Sequence, residues 1–175
     1  MEFGSFLEFQ CNDEESQTSA FETSISHAQQ AEDFGMDSVW LAEFHFEPDR
    51  SVLSSPLIVA SAIASKTSHI KIGTAVHILP LGHPLRIAED TATVDHISLG
   101  RFQFGVGRSA MPGDFHGYNT PLSESRKRFF ETLEIIVRAW THEKFSFEGE
   151  FYSFEDVCLI PKPYQVPHPP IRVAA

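Results

Sequence analysis

The sequence predicts an α/β protein built on a parallel β-sheet, with helices packed outside the strands. Three observations predict this class. Short runs rich in β-branched and aromatic residues alternate with longer amphipathic runs along the 175-residue chain. Four such strand–helix units follow one another, and an apolar run that resembles a fifth strand comes last. Strands joined through helices pair in parallel by right-handed crossovers, which places the helices outside the sheet.

The first unit covers the N-terminal part of the sequence. Residues 3–9 bunch Phe and Leu as a buried strand does, and the acidic, polar residues 11–16 follow as a loop. Ser19 and Glu22 have the spacing of a capping box, which predicts the start of the first helix. Gly35 predicts its end, because glycine readily takes the left-handed conformation that follows a helix.

The second and third units repeat this order. Residues 38–46 predict the second strand, residues 54–67 the second helix, and residues 70–79 the third strand. Pro84 predicts the start of the third helix, because proline fits the first turn, where no N–H is needed. Gly100 predicts the end of that helix.

The C-terminal part adds one more unit and an insertion. Residues 101–107 predict the fourth strand, and a loop of about a dozen residues separates it from a helix over 121–140. Residues 144–154 alternate around a Glu-Gly pair, which predicts a β-hairpin inserted between units. A proline-rich connector then leads to residues 171–175, the fifth strand.

The size of the chain bounds its organisation. With 175 residues, of which 42% are hydrophobic, one domain over residues 1–175 is the expectation. Five parallel strands can form a doubly wound open sheet, or part of an eight-stranded barrel that takes about 250 residues in full. The hydrophobic pattern does not decide between the open sheet and the barrel.

Composition excludes several classes of partner. The chain has 13 basic and 24 acidic residues and a formal net charge of -11, so neither nucleic acid nor an anionic membrane is an expected partner. The N-terminus lacks the pattern of a signal peptide, and no run of about 18 apolar residues occurs. We therefore expect a cytoplasmic protein, in which Cys11 and Cys158 are reduced thiols without metal-ligand spacing.

A glycine pattern after the fourth strand raises the question of a dinucleotide site. Gly105, Gly107 and Ala110 have the required spacing, but that site also needs a helix that begins directly after the turn and holds a pyrophosphate. Residues 111–121 predict no helix for about ten residues, so we reject this interpretation. A strand that ends in a long loop is instead typical of a ligand-binding face.

The ends of the predicted strands gather candidate functional residues at that face. Glu43 and His45 lie two residues apart at the end of the second strand, so their side chains can share one site. Histidine suits general acid–base chemistry near neutral pH. No third and fourth ligand accompany the pair, so no metal is expected. Arg108, after the fourth strand, either binds an anion or ties its loop to Asp114.

Three stretches of the chain resemble the bacterial luciferase-like flavin-dependent monooxygenases. They are residues 42–46, 72–109 and 147–175, and the long middle one carries a specific order of His-Pro, Ala-Glu-Asp and Gly-Arg motifs. The resemblance implies a TIM-type (β/α)8 barrel. Of that barrel the chain would hold the first four βα units, the inserted β-hairpin and the fifth strand.

The resemblance also implies a cofactor and a reaction. Members of the family bind reduced FMN, or in one branch F420, at the C-terminal face of the strands. The monooxygenases receive reduced FMN from a separate NAD(P)H-dependent flavin reductase. They add O2 to its C4a position, and the resulting hydroperoxyflavin oxidises a small organic substrate. The family commonly forms dimers, so a homodimer is expected.

The resemblance also implies roles for particular residues. Glu43 matches an acidic residue close to the flavin. Thr74, Ala75 and Val76 match the segment that runs along the isoalloxazine ring, where a non-prolyl cis peptide bond is expected between Ala75 and Val76. Arg108 matches the arginine that contacts the flavin phosphate.

His45 is the expected catalytic residue, with one departure from the family. The luciferases proper have two successive histidines, whereas this chain has Phe44 followed by His45. Phe44 occupies the position that the luciferases use as catalytic base. We therefore do not expect light emission from this protein.

Three functions follow from the resemblance. The first is the FMN-dependent monooxygenase, the second is an F420-dependent oxidoreductase of the same fold, and the third is a non-catalytic flavin-binding module. In the family, strands six to eight close the barrel, and here nothing follows Ala175. We expect the chain either to continue in a longer protein or to pair with another chain, because an open sheet edge exposes apolar surface.

Overall fold

The computed structural model describes residues 1–11 and 16–174. Most of the predicted acidic loop and the last residue of the predicted fifth strand therefore lie outside the described residues. The strands are β1 (Gly4–Leu7), β2 (Ser38–Leu41), β3 (Lys71–Thr74), β4 (His77–Ile78), β5 (Phe102–Gly107), β6 (Phe145–Glu148), β7 (Ser153–Val157) and β8 (Ile171–Val173). The helices are α1 (Gln17–Asp33), α2 (Pro56–Ala64), α3 (Pro84–Ile97), α4 (Pro112–Gly117) and α5 (Ser125–Thr141), with 3₁₀ turns at Leu79–Leu81 and Leu122–Glu124.

The main sheet is parallel throughout. Strand β1 pairs with β2, β2 with β3, and β3 with β5, and β5 also pairs with β4 and with β8. The predicted third strand thus consists of β3 and β4, and the predicted fifth strand is β8. Strands β6 and β7 pair antiparallel and form the predicted hairpin. The described helices lack the length and apolar character needed to cross a membrane.

The two faces of the sheet differ in burial. The face toward the helices is closed, and Val39, Ile72 and Phe102 on it have no exposed surface. The opposite face corresponds to the interior of a barrel. On it Phe6 is 53% exposed and Arg172 is also exposed. Burial of the helix-facing residues is the main source of stability in such a layered fold.

A bulge interrupts the third strand at the carboxyl edge of the sheet. Gly73 pairs with Gln103, and pairing resumes between His77 and Val106. Three residues of the third strand, 74–76, therefore lie opposite two residues of β5, which is the arrangement of a β-bulge. Bulges are frequent next to functional sites because they redirect side chains.

At the bulge, residues 74–76 and strand β5 lie unusually close to each other, and residues on both strands allow this. The peptide bond between Ala75 and Val76 is cis, as expected from the resemblance. The Thr74 hydroxyl donates to the Gly105 carbonyl over 2.6 Å. A Cβ atom at Gly105 would lie only 1.8 Å from the Thr74 carbonyl oxygen, so only glycine fits there.

The predicted capping box of α1 is wrong by one turn. Ser16, not Ser19, is the N-cap, and its hydroxyl accepts a hydrogen bond from the Ser19 N–H over 3.1 Å. Serine occurs at both positions, and Ser16 is the one with the extended backbone conformation that an N-cap residue adopts. Gly35 follows the helix with a φ of 77°, as predicted.

The loop after β5 contains a helix that we did not predict. Helix α4 begins at Pro112, only two residues after Ala110, so the predicted ten-residue stretch without a helix is wrong. Proline at the first helical position and a backbone turn around Asp114 allow six residues to fold locally. The long helix then begins at Ser125, after a 3₁₀ turn, rather than near residue 121.

Candidate active site

Glu43 lies in a loop at the carboxyl edge of the sheet. Strand β2 ends at Leu41, so Glu43 and His45 follow the strand instead of belonging to it. The loop is held by backbone hydrogen bonds from Ala42 to Leu7 and from Phe44 to Leu53. This anchoring turns the Glu43 carboxylate inward, and only 5% of its side chain is exposed.

Two histidines flank the Glu43 carboxylate. His45 Nε2 lies 2.9 Å from Oε1, and His77 Nδ1 lies 2.6 Å from Oε2. The Ile78 N–H donates to Oε2 over 3.3 Å. The predicted pairing of Glu43 with His45 is therefore confirmed, and His77, which follows the bulge, completes the cluster. Within residues 1–11 and 16–174, no three His, Cys, Asp or Glu side chains are arranged to hold a metal.

The charge state of Glu43 follows from these contacts. Burial by itself would raise the pKa of the carboxyl group, but the charge of His77 and the hydrogen bond from His45 outweigh it. The pKa of Glu43 is therefore lowered to about 2. The carboxylate is ionised across the physiological range and keeps a fixed negative charge between the two rings.

Tyr118 extends the cluster toward solvent. Its hydroxyl lies 3.2 Å from Nδ1 of His45, and the two rings meet edge to face with centroids 4.9 Å apart. Burial, followed by the negative charges of Glu43 and Asp114, raises the pKa of the Tyr118 hydroxyl. Phe46 packs beside both rings and is 63% exposed. The cluster thus ends in an aromatic rim.

A cleft opens onto this cluster between the first turns of α2 and α3. Burial raises the pKa of Asp90 in its wall, although Arg86 opposes the shift. The cleft is lined by Glu43, His45, Ser54, Ser55, Pro56, Leu57, Ile58, His77, Ile78, Leu81, Gly82, His83, Arg86, Ile87, Asp90 and Tyr118. Apolar walls with a few convergent polar groups are typical of sites for small organic ligands.

The remaining predicted site residues lie beside the cleft and do not line it. Ala75 and Val76 are half-buried at the same edge of the sheet, in the bulge. Thr74 is fully buried and uses its hydroxyl within the sheet, so it can offer only backbone atoms to a ligand. Arg108 is exposed at the end of β5.

Arg108 contacts a residue that we did not anticipate. Its Nη1 atom donates to the Ser125 hydroxyl at the start of α5 over 3.1 Å, whereas Asp114 accepts from Ser109. The alternative that Arg108 ties its loop to Asp114 is therefore wrong. Among the described residues, no carboxylate lies within ion-pair distance of Arg108, so its charge remains available to an anion.

Sequence reasoning missed two members of the cluster. His77 has the position of a strand-end residue two places after Ala75, and that position was a usable signal. Tyr118 has no comparable signal, because it comes from the turn after α4 and meets His45 across 73 residues. Only the folding of the loop after β5 brings the two side chains together.

Comparison with known proteins identifies the family. A sequence model described as luciferase-like monooxygenase matches residues 1–175. The chain belongs to this family. An alkanal monooxygenase alpha chain from the Kryptophanaron alfredi symbiont is 30% identical to it, over 100% of this chain and 49% of that protein. An uncharacterized protein from Sinorhizobium fredii is 34% identical, over 86% of this chain and 44% of its own length. The chain spans about half the length of the curated relatives that it matches.

Solved structures agree with this assignment in fold. Monooxygenase RslO1 from Streptomyces bottropensis is 33% identical and has a TM-score of 0.95, over 99% of this chain and 53% of its own. The oxygenating constituent of 3,6-diketocamphane monooxygenase from Pseudomonas putida, solved with FMN, has a TM-score of 0.89 at 24% identity, over 99% and 51%. An F420-dependent secondary alcohol dehydrogenase has a TM-score of 0.82 at 19% identity, over 99% and 52%. The predicted fold class is confirmed: the chain has the first four βα units, hairpin and fifth strand of a luciferase-like barrel.

Proposed function

We propose that the site at the carboxyl edge of the sheet binds reduced FMN and uses O2 to oxidise a small organic substrate. The observation that carries this proposal is the placement of three groups at one edge. These are the ionised Glu43 between two histidines, the bulge at residues 74–76, and the exposed cation of Arg108. In β/α barrels, ligands bind at this edge.

The residues present suit a phosphate-bearing ring cofactor. Arg108 offers a guanidinium without a carboxylate partner among the described residues, and a guanidinium can form paired hydrogen bonds with a phosphate. Glu43 and the backbone of residues 74–76, including Ala75 and Val76, would contact the flavin ring. Reduced FMN, when bound, supplies the two electrons that activate O2. His45 would hold and move protons beside the substrate.

Further parts of this proposal concern the source of reduced FMN, the substrate and the oligomeric state. The Pseudomonas putida relative is described as an oxygenating constituent, which supports a separate NAD(P)H-dependent flavin reductase as the source of reduced FMN. The apolar character of the cleft supports a small organic substrate. We propose a homodimer as well, as the resemblance to the family implies.

F420 is the alternative cofactor, and a flavin-binding module without catalysis is the alternative function. The likeness of the fold to an F420-dependent dehydrogenase supports the first alternative. Formation of oxidised product, recorded with reduced FMN and then with reduced F420, distinguishes these cases, because free reduced FMN consumes O2 without an enzyme. Product formation with reduced FMN and O2 supports the monooxygenase, turnover with F420 alone contradicts it, and flavin binding without any turnover supports the module.

Titration with FMN and riboflavin tests the role of Arg108. Arg108→Ala should weaken FMN binding by about 1.5 to 3 kcal/mol, or about 10- to 150-fold, because a charge-assisted hydrogen bond is lost. Riboflavin has no phosphate, so its affinity should not change. Arg138→Ala, which removes an arginine paired with Glu134 on α5, is the control. Equal losses for FMN and riboflavin would contradict the phosphate contact.

A further inference from the structure

Both ring nitrogens of His45 are engaged, and this fixes the position of its proton. Nε2 lies 2.9 Å from the Glu43 carboxylate, and an ionised carboxylate only accepts hydrogen bonds. Nε2 therefore carries a proton. In the neutral ring Nδ1 then has a lone pair, and the Tyr118 hydroxyl, 3.2 Å away, is placed to donate to it.

Access to the cleft separates His45 from Tyr118. Both side chains line the cleft, but His45 is 6% exposed and has both nitrogens occupied, whereas Tyr118 is 44% exposed. A bound molecule can therefore exchange a proton with the tyrosine oxygen more directly than with the imidazole. The order carboxylate, imidazole and hydroxyl corresponds to the arrangement that activates hydroxyl groups in other enzymes.

We propose that Tyr118 is the group that exchanges protons with the bound reactant, with His45 as the base behind it and Glu43 as the residue that orients the ring. This role depends on the proposed function. When the reactant loses a proton, that proton goes to the Tyr118 oxygen while the tyrosine proton passes to Nδ1 of His45. The products are the deprotonated reactant and an imidazolium beside the Glu43 carboxylate. Two protons each move one step, the net result is the transfer of one proton from the reactant to His45, and charge is conserved.

The surroundings of Tyr118 favour such a coupled transfer over a lasting tyrosinate. Burial, Glu43 and Asp114 disfavour a negative charge on its oxygen. His77 lies on the far side of Glu43, and the wall of the same cleft contains His83, the N-cap of α3, together with Arg86 and Asp90 of α3. The carboxylates of Glu43, Asp90 and Asp114 outnumber the fixed cation of Arg86 in these surroundings. A lasting negative charge on the tyrosine oxygen is therefore unfavourable, so the tyrosine proton leaves toward His45 as the proton of the reactant arrives.

The first test is spectroscopic and needs no cofactor. Long-range ¹H–¹⁵N spectra of the full chain with ¹⁵N-labelled histidine, at a pH where histidine is neutral, should show His45 protonated on Nε2. His45→Asn assigns the signal by removing it. In Tyr118→Phe the Nδ1 resonance should move toward that of a nitrogen without a hydrogen-bond donor. Protonation on Nδ1, or an unmoved Nδ1 resonance, would overturn the relay.

Tyr152→Phe is the matched control for this measurement. Tyr152 also meets a histidine edge to face, His83 at 5.5 Å between ring centroids, but its hydroxyl points to the Gly82 carbonyl at 3.4 Å. Removing that hydroxyl should leave the His45 signals unchanged. A change as large as that in Tyr118→Phe would indicate a general disturbance of packing and would overturn the assignment.

The second test measures turnover with reduced FMN, O2 and a straight-chain aldehyde as the probe. Tyr118→Phe should lower kcat about 100-fold or more with little change in KM, because proton transfer and not binding is lost. The double variant with His45→Asn should lose no more than either single variant, since the two act as one unit. A wild-type kcat in Tyr118→Phe overturns the role of Tyr118 alone. Absence of product formation by the unchanged chain overturns the proposed function and this role together.

Discussion

Glu32 and Glu43 are identical side chains at opposite ends of the same sheet, and the groups that donate hydrogen bonds to them differ in kind. Glu32, at the end of α1, accepts hydrogen bonds from the backbone N–H groups of residues 68–70, which lead into β3. Glu43, after β2, accepts from His45 and lies against His77. Their side chains are 11% and 5% exposed.

Because of this difference, the Glu32 carboxylate serves the structure, whereas the Glu43 carboxylate can take part in chemistry. Burial tends to raise the pKa of Glu32, but three backbone N–H groups outweigh it and the pKa is lowered. Backbone amides do not titrate, so they hold Glu32 in one state and fasten the loop. His69 Nδ1 also lies 3.2 Å from Glu32, but this ring is 71% exposed to solvent, unlike the enclosed rings beside Glu43. Histidines do titrate, so the partners of Glu43 can take up and release protons. In β/α barrels the N-terminal edge contributes stability and the C-terminal edge carries function.

The largest expected effect is on turnover at the C-terminal edge. Glu43→Gln should lower kcat about 100-fold or more, because the charge that orients His45 and stabilises its protonated form is lost. Steady-state rates with reduced FMN and an aldehyde measure this. Glu32→Gln is the matched control at the other edge and should keep its turnover. Similar losses in both variants would remove the distinction between the two edges.

The pH dependence of stability should show the second effect. Glu43 has a folded-state pKa of about 2, below its ordinary value of 4.5. Its contribution is therefore fully present above about pH 4.5 and is lost as pH falls through about 2, by about 3 kcal/mol in all. Urea unfolding at a series of acidic pH values measures this loss. Glu43→Gln should flatten this part of the curve, and an unchanged slope in the variant would contradict the assignment.

The smallest effect belongs to the N-terminal edge. Glu32→Ala should lower the free energy of unfolding by about 1 to 3 kcal/mol, because the N–H groups before β3 lose their acceptor. Urea unfolding near neutral pH tests this, and turnover should not change. Glu22→Ala, at an exposed position on the same helix, controls for the change in helix charge. A stability loss no larger than in Glu22→Ala would show that water replaces the carboxylate.

The sequence predicted the elements that follow from a regular pattern of burial, and it missed features that leave no such pattern. The hydrophobic pattern predicted all five barrel strands and the hairpin, because burial of one face imposes that pattern along each strand. The helix start at Ser16 and the short helix at Pro112 were missed, since neighbouring serines and a proline-rich loop offer several local solutions of similar energy. Contacts across the chain, such as Arg108 with Ser125, leave no periodic signal.

The sequence by itself determined the fold class, the family and the pairing of Glu43 with His45. These follow from periodic burial, from motif order and from a spacing of two residues. Only the tertiary structure decided that His77 and Tyr118 join that pair, and that Arg108 lies against α5. The physical reason is that these contacts form only after the parallel strands align their carboxyl ends and the loop after β5 folds over them.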